Sequence, residues 1–185
     1  DLKPDVVAAS AITGSHRQYL DSLSAIKEAV PDTFTILGGP YCSTYPDSIS
    51  HNPGLDAIGI MECDEAWPML LDTIEGGGDV HNLPNILTHD NADARLIKDI
   101  ATGQTIAKPD SYKNRFAELD SLPYLDRSLV YDNTAFYYRP KRTHMAGRGC
   151  PFRCQYCFEQ DWNKAFAGKG KLLQRYSVDR FIDEL

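Results

Sequence analysis

Three cysteines stand in one short stretch of this chain, Gly147-Arg148-Gly149-Cys150-Pro151-Phe152-Arg153-Cys154-Gln155-Tyr156-Cys157-Phe158. Their C-x3-C-x2-C spacing sets three soft sulfur donors in one loop, a donor set that suits an iron–sulfur cluster. A cubane cluster has four irons, so three cysteines leave one iron without a protein ligand. An open coordination position is where a metal centre does chemistry rather than hold a fold. The competing chemistry is structural zinc, which wants four ligands, often as two separated pairs. Only Cys42 and Cys63 remain as cysteines, both far upstream, and His144 falls in an expected strand at 142–146. A ferredoxin-type electron carrier spaces its cysteines differently and supplies a fourth.

The elements around the loop must aim those thiols. Residues 142–146 predict a strand that runs directly into the cysteine loop. A helix is expected from about Ser177, which has the right side chain for an N-cap. Strand, loop and helix together read as the opening unit of a β/α barrel, whose sites sit at the strands' C-terminal ends. Gly147 and Gly149 permit a tight path beside a cluster. Arg148 and Arg153 add positive charge there, or are solvated loop residues; Phe152 and Phe158 read as loop packing. The Gly168-Lys169-Gly170 run lacks the frame of a phosphate loop.

Upstream, residues 6–12 are a short apolar run of the kind found in buried parallel strands. Tyr19, Leu20, Leu23, Ile26, Ala29 and Val30 recur at helical spacing. Strands are expected at 34–37, closed by Gly38-Gly39-Pro40, and at 55–60. A helix at 65–74 follows, with Asp64 as its expected cap and Gly76-Gly77-Gly78 as its stop. Strand–helix alternation implies α/β architecture with a doubly wound parallel sheet and ligands beyond the strands' C-terminal ends. After residue 78 the pattern shifts to short β-like pieces at 85–89 and 95–98. The expected organisation is a Rossmann-like unit at 1–78, a β-rich connector at 79–138 and a barrel start at 139–185.

The cysteine loop, with Tyr156 just before its third cysteine, resembles that of the radical S-adenosylmethionine enzymes. The resemblance implies a [4Fe-4S] cluster on Cys150, Cys154 and Cys157. Its open iron would bind the amino and carboxylate groups of S-adenosylmethionine, and reductive cleavage would give a 5′-deoxyadenosyl radical. Tyr156 would lie against the adenine. Ser10-Ala11-Ile12 and Gly38-Gly39 resemble the S-x-L…G-G part of the cobalamin-binding Rossmann-like domain, which implies Ser10, Ile12, Gly38 and Gly39 as cobalamin contacts. The D-x-H-x-x-G element of that family is absent, and His16 reads as a surface residue at a helix start. Met61-Glu62-Cys63-Asp64-Glu65 stands where the combined architecture carries a G-E-G-E-like stretch. There Glu62 either lines the cofactor cleft or meets the helix dipole. The segment from Leu119 to Tyr124 resembles its L-D-x-L-P-[FY] connector.

The implied activity is that of a radical S-adenosylmethionine enzyme, cobalamin-dependent, with methyl transfer to or rearrangement of an unreactive carbon. A small-molecule substrate and an electron donor such as flavodoxin or ferredoxin would be its partners. The rival class is a non-catalytic, zinc-stabilised interaction module. Catalytic side chains beyond the cofactor contacts are not identifiable. Net charge over the 185 residues is −7 with no basic tract, which disfavours nucleic acid. No apolar run approaches the roughly 20 residues that cross a bilayer. An odd set of five cysteines, three of them clustered, argues for metal in a reducing cytoplasm. The chain opens almost on a strand and closes on an uncapped helix, so it is expected to be an excerpt. Phe181, Ile182 and Leu185 should then form an exposed apolar patch, and the excerpt alone should be inactive.

Overall fold

The computed structural model describes residues 3–185. A four-stranded sheet has the order β1 (Val6–Ser10), β2 (Phe34–Gly38), β3 (Ala57–Gly59), β4 (Ile86–Thr88). The first three strands run parallel, and β4 closes the far edge antiparallel, a common ending for such sheets. Register sets Ser10 opposite Gly38 and Leu37 opposite Ile58. Thr35, Ile36, Leu37, Ala57, Ile58, Ile86 and Leu87 are buried, so the centre of the sheet is covered on both faces. Residues 85–89, expected in the connector, therefore supply a strand to the first sheet. The reason is that β3 presents an open edge and Ile86-Leu87-Thr88 is apolar enough to be covered there.

Helix α1 (His16–Ala29) packs its Leu20 and Leu23 stripe on the sheet, and a short α2 (Pro40–Thr44) follows β2. Helix α3 (Ala66–Glu75) buries Ala66 and Leu70 and ends at Gly76. Its N-cap is Glu65, with no side-chain cap bond, so Asp64 is not the cap that the local pattern suggests. The 142–146 strand is also corrected. The strand there is only β7 (Gly147–Arg148), paired antiparallel with β8 (Gln174–Arg175), because no longer partner lies alongside.

Between the halves run a turn of helix, α4 (Ala92–Arg95), and a hairpin of β5 (Leu96–Lys98) and β6 (Thr105–Ala107). A further turn, α5 (Ser128–Tyr131), precedes β7. Leu122 is extended ahead of Pro123, as that proline dictates. Helix α6 (Glu159–Ala165) starts two residues after Cys157, and α7 (Val178–Asp183) is capped by Ser177, whose hydroxyl accepts from the Arg180 amide. One core joins the two ends of the chain. Ala107, Tyr112 and Phe166 belong to the same buried cluster as Leu37, Ile58 and Ile60, with Trp162 packed against it. Tyr112 also donates its hydroxyl to the Ala165 carbonyl at 2.9 Å. Ile182 and Leu185 are exposed while Phe181 is half-buried; Leu125, Met145 and Val178 are exposed as well, and Leu125 and Met145 line one cleft with Phe181.

Candidate cofactor sites and the joint between them

The cysteine loop leaves β7 through Gly149, whose φ of +88° is glycine territory. A Cβ there would run into the Leu172 carbonyl, so the loop presses directly on the bend that precedes β8. On the other side α6 holds the loop with its amides. Asn163 donates to the Cys150 carbonyl at 2.9 Å, and Gln160 to the Arg153 carbonyl at 2.8 Å. The Cys157 amide closes a turn onto Cys154 O at 3.0 Å. Cys154 is exposed, and Cys150 and Cys157 are half-buried. Among the described residues no three His, Cys, Asp or Glu side chains are drawn together as metal ligands, so the three thiols share a loop without converging.

Tyr156 projects from this loop at 94 % exposure. Phe152 is exposed too, not the packing residue expected, whereas Phe158 meets Trp162 edge-on at 5.7 Å. Glu159, which the sequence did not single out, opens α6 with Oε2 buried and unpartnered; burial pushes its carboxyl up. Cys42 and Cys63 are apart from the loop, and burial pushes both thiols up to about 12.

At the other candidate site the parallel strands end on small residues. Gly39 has φ +91° and ψ −177°, and a Cβ on it would meet Ser10 Oγ at 2.6 Å and Ala11 O at 2.7 Å. Gly38 is different, since nothing lies nearer than 3.8 Å to a Cβ there. Ser10 is exposed, and Ile12 is 60 % exposed beside it. His16, at the start of α1, is half-buried and stacks on Tyr41 with ring centroids 4.1 Å apart. Met61, where the related pattern has glycine, carries φ +59° at the end of β3. A cavity of about 320 Å³ opens next to it. Its walls include Ser43, Met61, the β5–β6 hairpin residue Ile106, Tyr112, the α6 N-cap Phe158 and Trp162 of α6.

Charge joins the two sites. Glu62 takes the Arg115 Nε at 3.0 Å and the Phe116 amide at 3.3 Å, with Glu62 and Arg115 side chains only 8 % and 2 % exposed. Glu62 thus lies at a joint between segments, more buried than a helix-start carboxylate in solvent. Asp64 accepts both Arg148 terminal nitrogens, at 2.6 and 2.8 Å, and this pairing raises the Arg148 pKa further. Arg148 is therefore neither a solvated loop residue nor a free charge beside the thiols.

No family model matches the chain. It is 28% identical over 163 residues to the anaerobic magnesium-protoporphyrin IX monomethyl ester cyclase of Rubrivivax gelatinosus, covering 84% of this chain and 27% of that protein. It is 26% identical over 192 residues to the enzyme of the same name from Cereibacter sphaeroides, covering 98% and 30%. The chain thus spans under a third of the curated relatives' length. All of it superposes on the radical S-adenosylmethionine methyltransferase TsrM of Kitasatospora setae. With tryptophan and aza-SAM bound, the TM-score is 0.56 at 14% identity, over 34% of that chain. With cobalamin and a [4Fe-4S] cluster bound, it is 0.53 at 15%, over 35%. In sequence the chain is thus similar to the two anaerobic cyclases, and in fold to the radical S-adenosylmethionine methyltransferase TsrM.

Proposed function

We propose that the chain is the part of a radical S-adenosylmethionine enzyme in which a cobalamin-type domain meets the cluster-binding loop. The observation that carries this is the donor set of Cys150, Cys154 and Cys157 on one loop, anchored at its base by Gly149 and Asn163. Those three thiols are soft, local and leave one iron open, so they fit a [4Fe-4S] cluster. The cluster, when bound, would deliver an electron to S-adenosylmethionine and release a carbon radical. This chain's own residues do the rest: α6 fixes the loop carbonyls, Gly149 allows the close approach, and exposed Tyr156 is free to cover the adenine.

Ser10, Ile12, Gly38 and Gly39 are our candidate cobalamin contacts. Ser10 and Ile12 are exposed at the strand ends, and Gly39 keeps that edge small, since a Cβ on it would clash with Ser10 Oγ and Ala11 O. The relatives' printed activities, ring closure and methyl transfer, support chemistry at carbon, whether methyl transfer or rearrangement. A small-molecule substrate and an electron donor such as flavodoxin or ferredoxin complete the proposal. No helix is long and apolar enough to cross a membrane among the described residues.

The test is anaerobic reconstitution of the full-length protein. About four irons and four sulfides per chain are expected, the content of a cubane. Each of Cys150→Ala, Cys154→Ala and Cys157→Ala should abolish loading, while Cys42→Ala and Cys63→Ala should keep it. One tightly held zinc and no iron–sulfur absorption would sink the reading in favour of an interaction module.

A further inference from the structure

Arg148 is two residues ahead of Cys150, yet its side chain reaches back 84 positions to the end of β3. There it forms a forked pair with Asp64, at 2.6 and 2.8 Å, and lies 3.9 Å from Glu62. A guanidinium matches a carboxylate in this geometry and fixes direction as well as distance. Behind it, Glu62 is held by Arg115, whose Nη1 also donates to the Leu172 carbonyl at 2.9 Å. That is the same carbonyl on which Gly149 presses. Arg115 further lays its guanidinium 5.2 Å from the Phe166 ring centre, just past α6.

Three polar contacts therefore hold the segment around the loop's first cysteine: the Arg148–Asp64 ion pair, Arg115 to the Leu172 carbonyl, and the neutral amide of Asn163 to Cys150 O. Apolar packing plays a lesser part at this point, since Phe152 and Tyr156 are exposed. Asp64 and Glu62 belong to the segment that leaves β3, at the same end of the sheet as Ser10 and Gly39.

We propose that Arg148 is a positioning residue, whose forked pair with Asp64, backed by Glu62–Arg115, registers the cysteine loop over the strand ends of the Rossmann-like domain. Resting on the cluster reading above, it adds a device that sets where the cluster faces. With a cluster on the loop and cobalamin at the strand ends, the pair would set how loop and strand ends face each other, and its loss would shift one against the other without unfolding either.

The experiment uses the full-length protein with Asp64→Asn, Arg148→Ala, Arg148→Lys and the swap Asp64→Arg/Arg148→Asp. Amide hydrogen exchange on cluster-free protein comes first. Asp64→Asn and Arg148→Ala should each speed exchange at 147–157 by about tenfold, a local opening, while β1–β3 amides stay as in the wild type. Lysine should restore only part of the protection because it cannot fork, and the swap should restore most of it. On loaded protein, iron content should hold, while the electron paramagnetic resonance signal of the reduced cluster splits into several species in Asp64→Asn and returns to one in the swap. Unchanged exchange at 147–157, or an increase shared equally by the sheet, overturns the proposal. A single wild-type signal in Asp64→Asn overturns it as well. Wild-type protein that takes up no iron removes the cluster reading, and the exchange result still decides whether Arg148 and Asp64 hold the loop.

Discussion

A Cβ placed on Gly39 would sit 2.6 Å from the Ser10 hydroxyl oxygen, while one on the adjacent Gly38 would find nothing nearer than 3.8 Å. The two glycines of the Gly-Gly pair are thus not equivalent. Gly39 is required by its φ of +91° and by the closeness of β1; Gly38 sits at the end of β2 with room to spare. Gly39→Ala should cost about 2 to 4 kcal/mol from backbone strain and overpacking together. Gly38→Ala should cost under about 1 kcal/mol. Urea titration of both variants measures this, and equilibrium dialysis with cobalamin should show binding lost in Gly39→Ala and kept in Gly38→Ala. Equal effects from the two would mean that strand-end closeness does not shape the site.

Cys42 is wholly buried, and burial pushes its thiol from 9.0 up to about 12. The folded state therefore holds this proton more tightly than the unfolded chain does. The resulting stability is fully present below pH 9 and is lost as pH rises through 9 toward about 12. Cys42→Ala should be less stable at neutral pH, because it leaves a small void, yet its stability should fall less steeply above pH 9 than the wild type's. Denaturant curves taken between neutral pH and pH ~10.5 give both slopes. Identical slopes would show that burial at this position does not govern the titration.

Asn85 is a second fixed point that sequence reading missed. It is fully buried at φ +63°, and every polar group on it is used. Its amide nitrogen donates to Ile60 O and Glu62 O, both at 3.0 Å, and its side-chain oxygen accepts from the Lys113 amide at 3.0 Å. Asn85→Ala would strand those partners in the interior and force alanine into a left-handed backbone, at a cost of about 3 kcal/mol. Asn85→Gly should recover only the backbone share, about 1 kcal/mol. The unfolding free energies of the two variants should differ in that order; the reverse order would mean that the left-handed backbone at this position imposes no penalty on alanine.

What could be read locally was read well, and what depended on distant partners was not. The stripe of Leu20 and Leu23 places α1 correctly because a helix face is written in consecutive turns. The three cysteines stand out by spacing alone, and the structure places them on one loop without drawing the thiols together. Asp64 looked like a cap because it precedes α3, but Arg148, 84 residues away, takes its carboxylate. Glu62 is tied to Arg115 across 53 residues in the same way. Residues 142–146 read as a strand in sequence, yet a ladder needs a partner, and β8 offers only Gln174 and Arg175. Asn85 reads in sequence as the first residue of the β-like piece at 85–89, and its left-handed backbone and buried side-chain bonds show only in the structure.

Tyr156 is the sharpest place to separate folding from function. At 94 % exposure it contributes little to the core, so Tyr156→Ala should leave the unfolding free energy within about 0.5 kcal/mol of the wild type. Its neighbours in the loop are Cys154 and Cys157, so iron loading should also be unchanged. If the ring covers adenine, its removal should weaken S-adenosylmethionine binding to the loaded full-length protein by about tenfold, the scale of one aromatic–base stack. Tyr156→Phe should bind as the wild type does, because the face of the ring is kept. Isothermal titration under anaerobic conditions reads all three proteins. Weaker binding in both variants would assign the contact to the hydroxyl. Wild-type binding in both would show that neither ring nor hydroxyl takes part, leaving the main chain at Tyr156 as the only contact this residue could make.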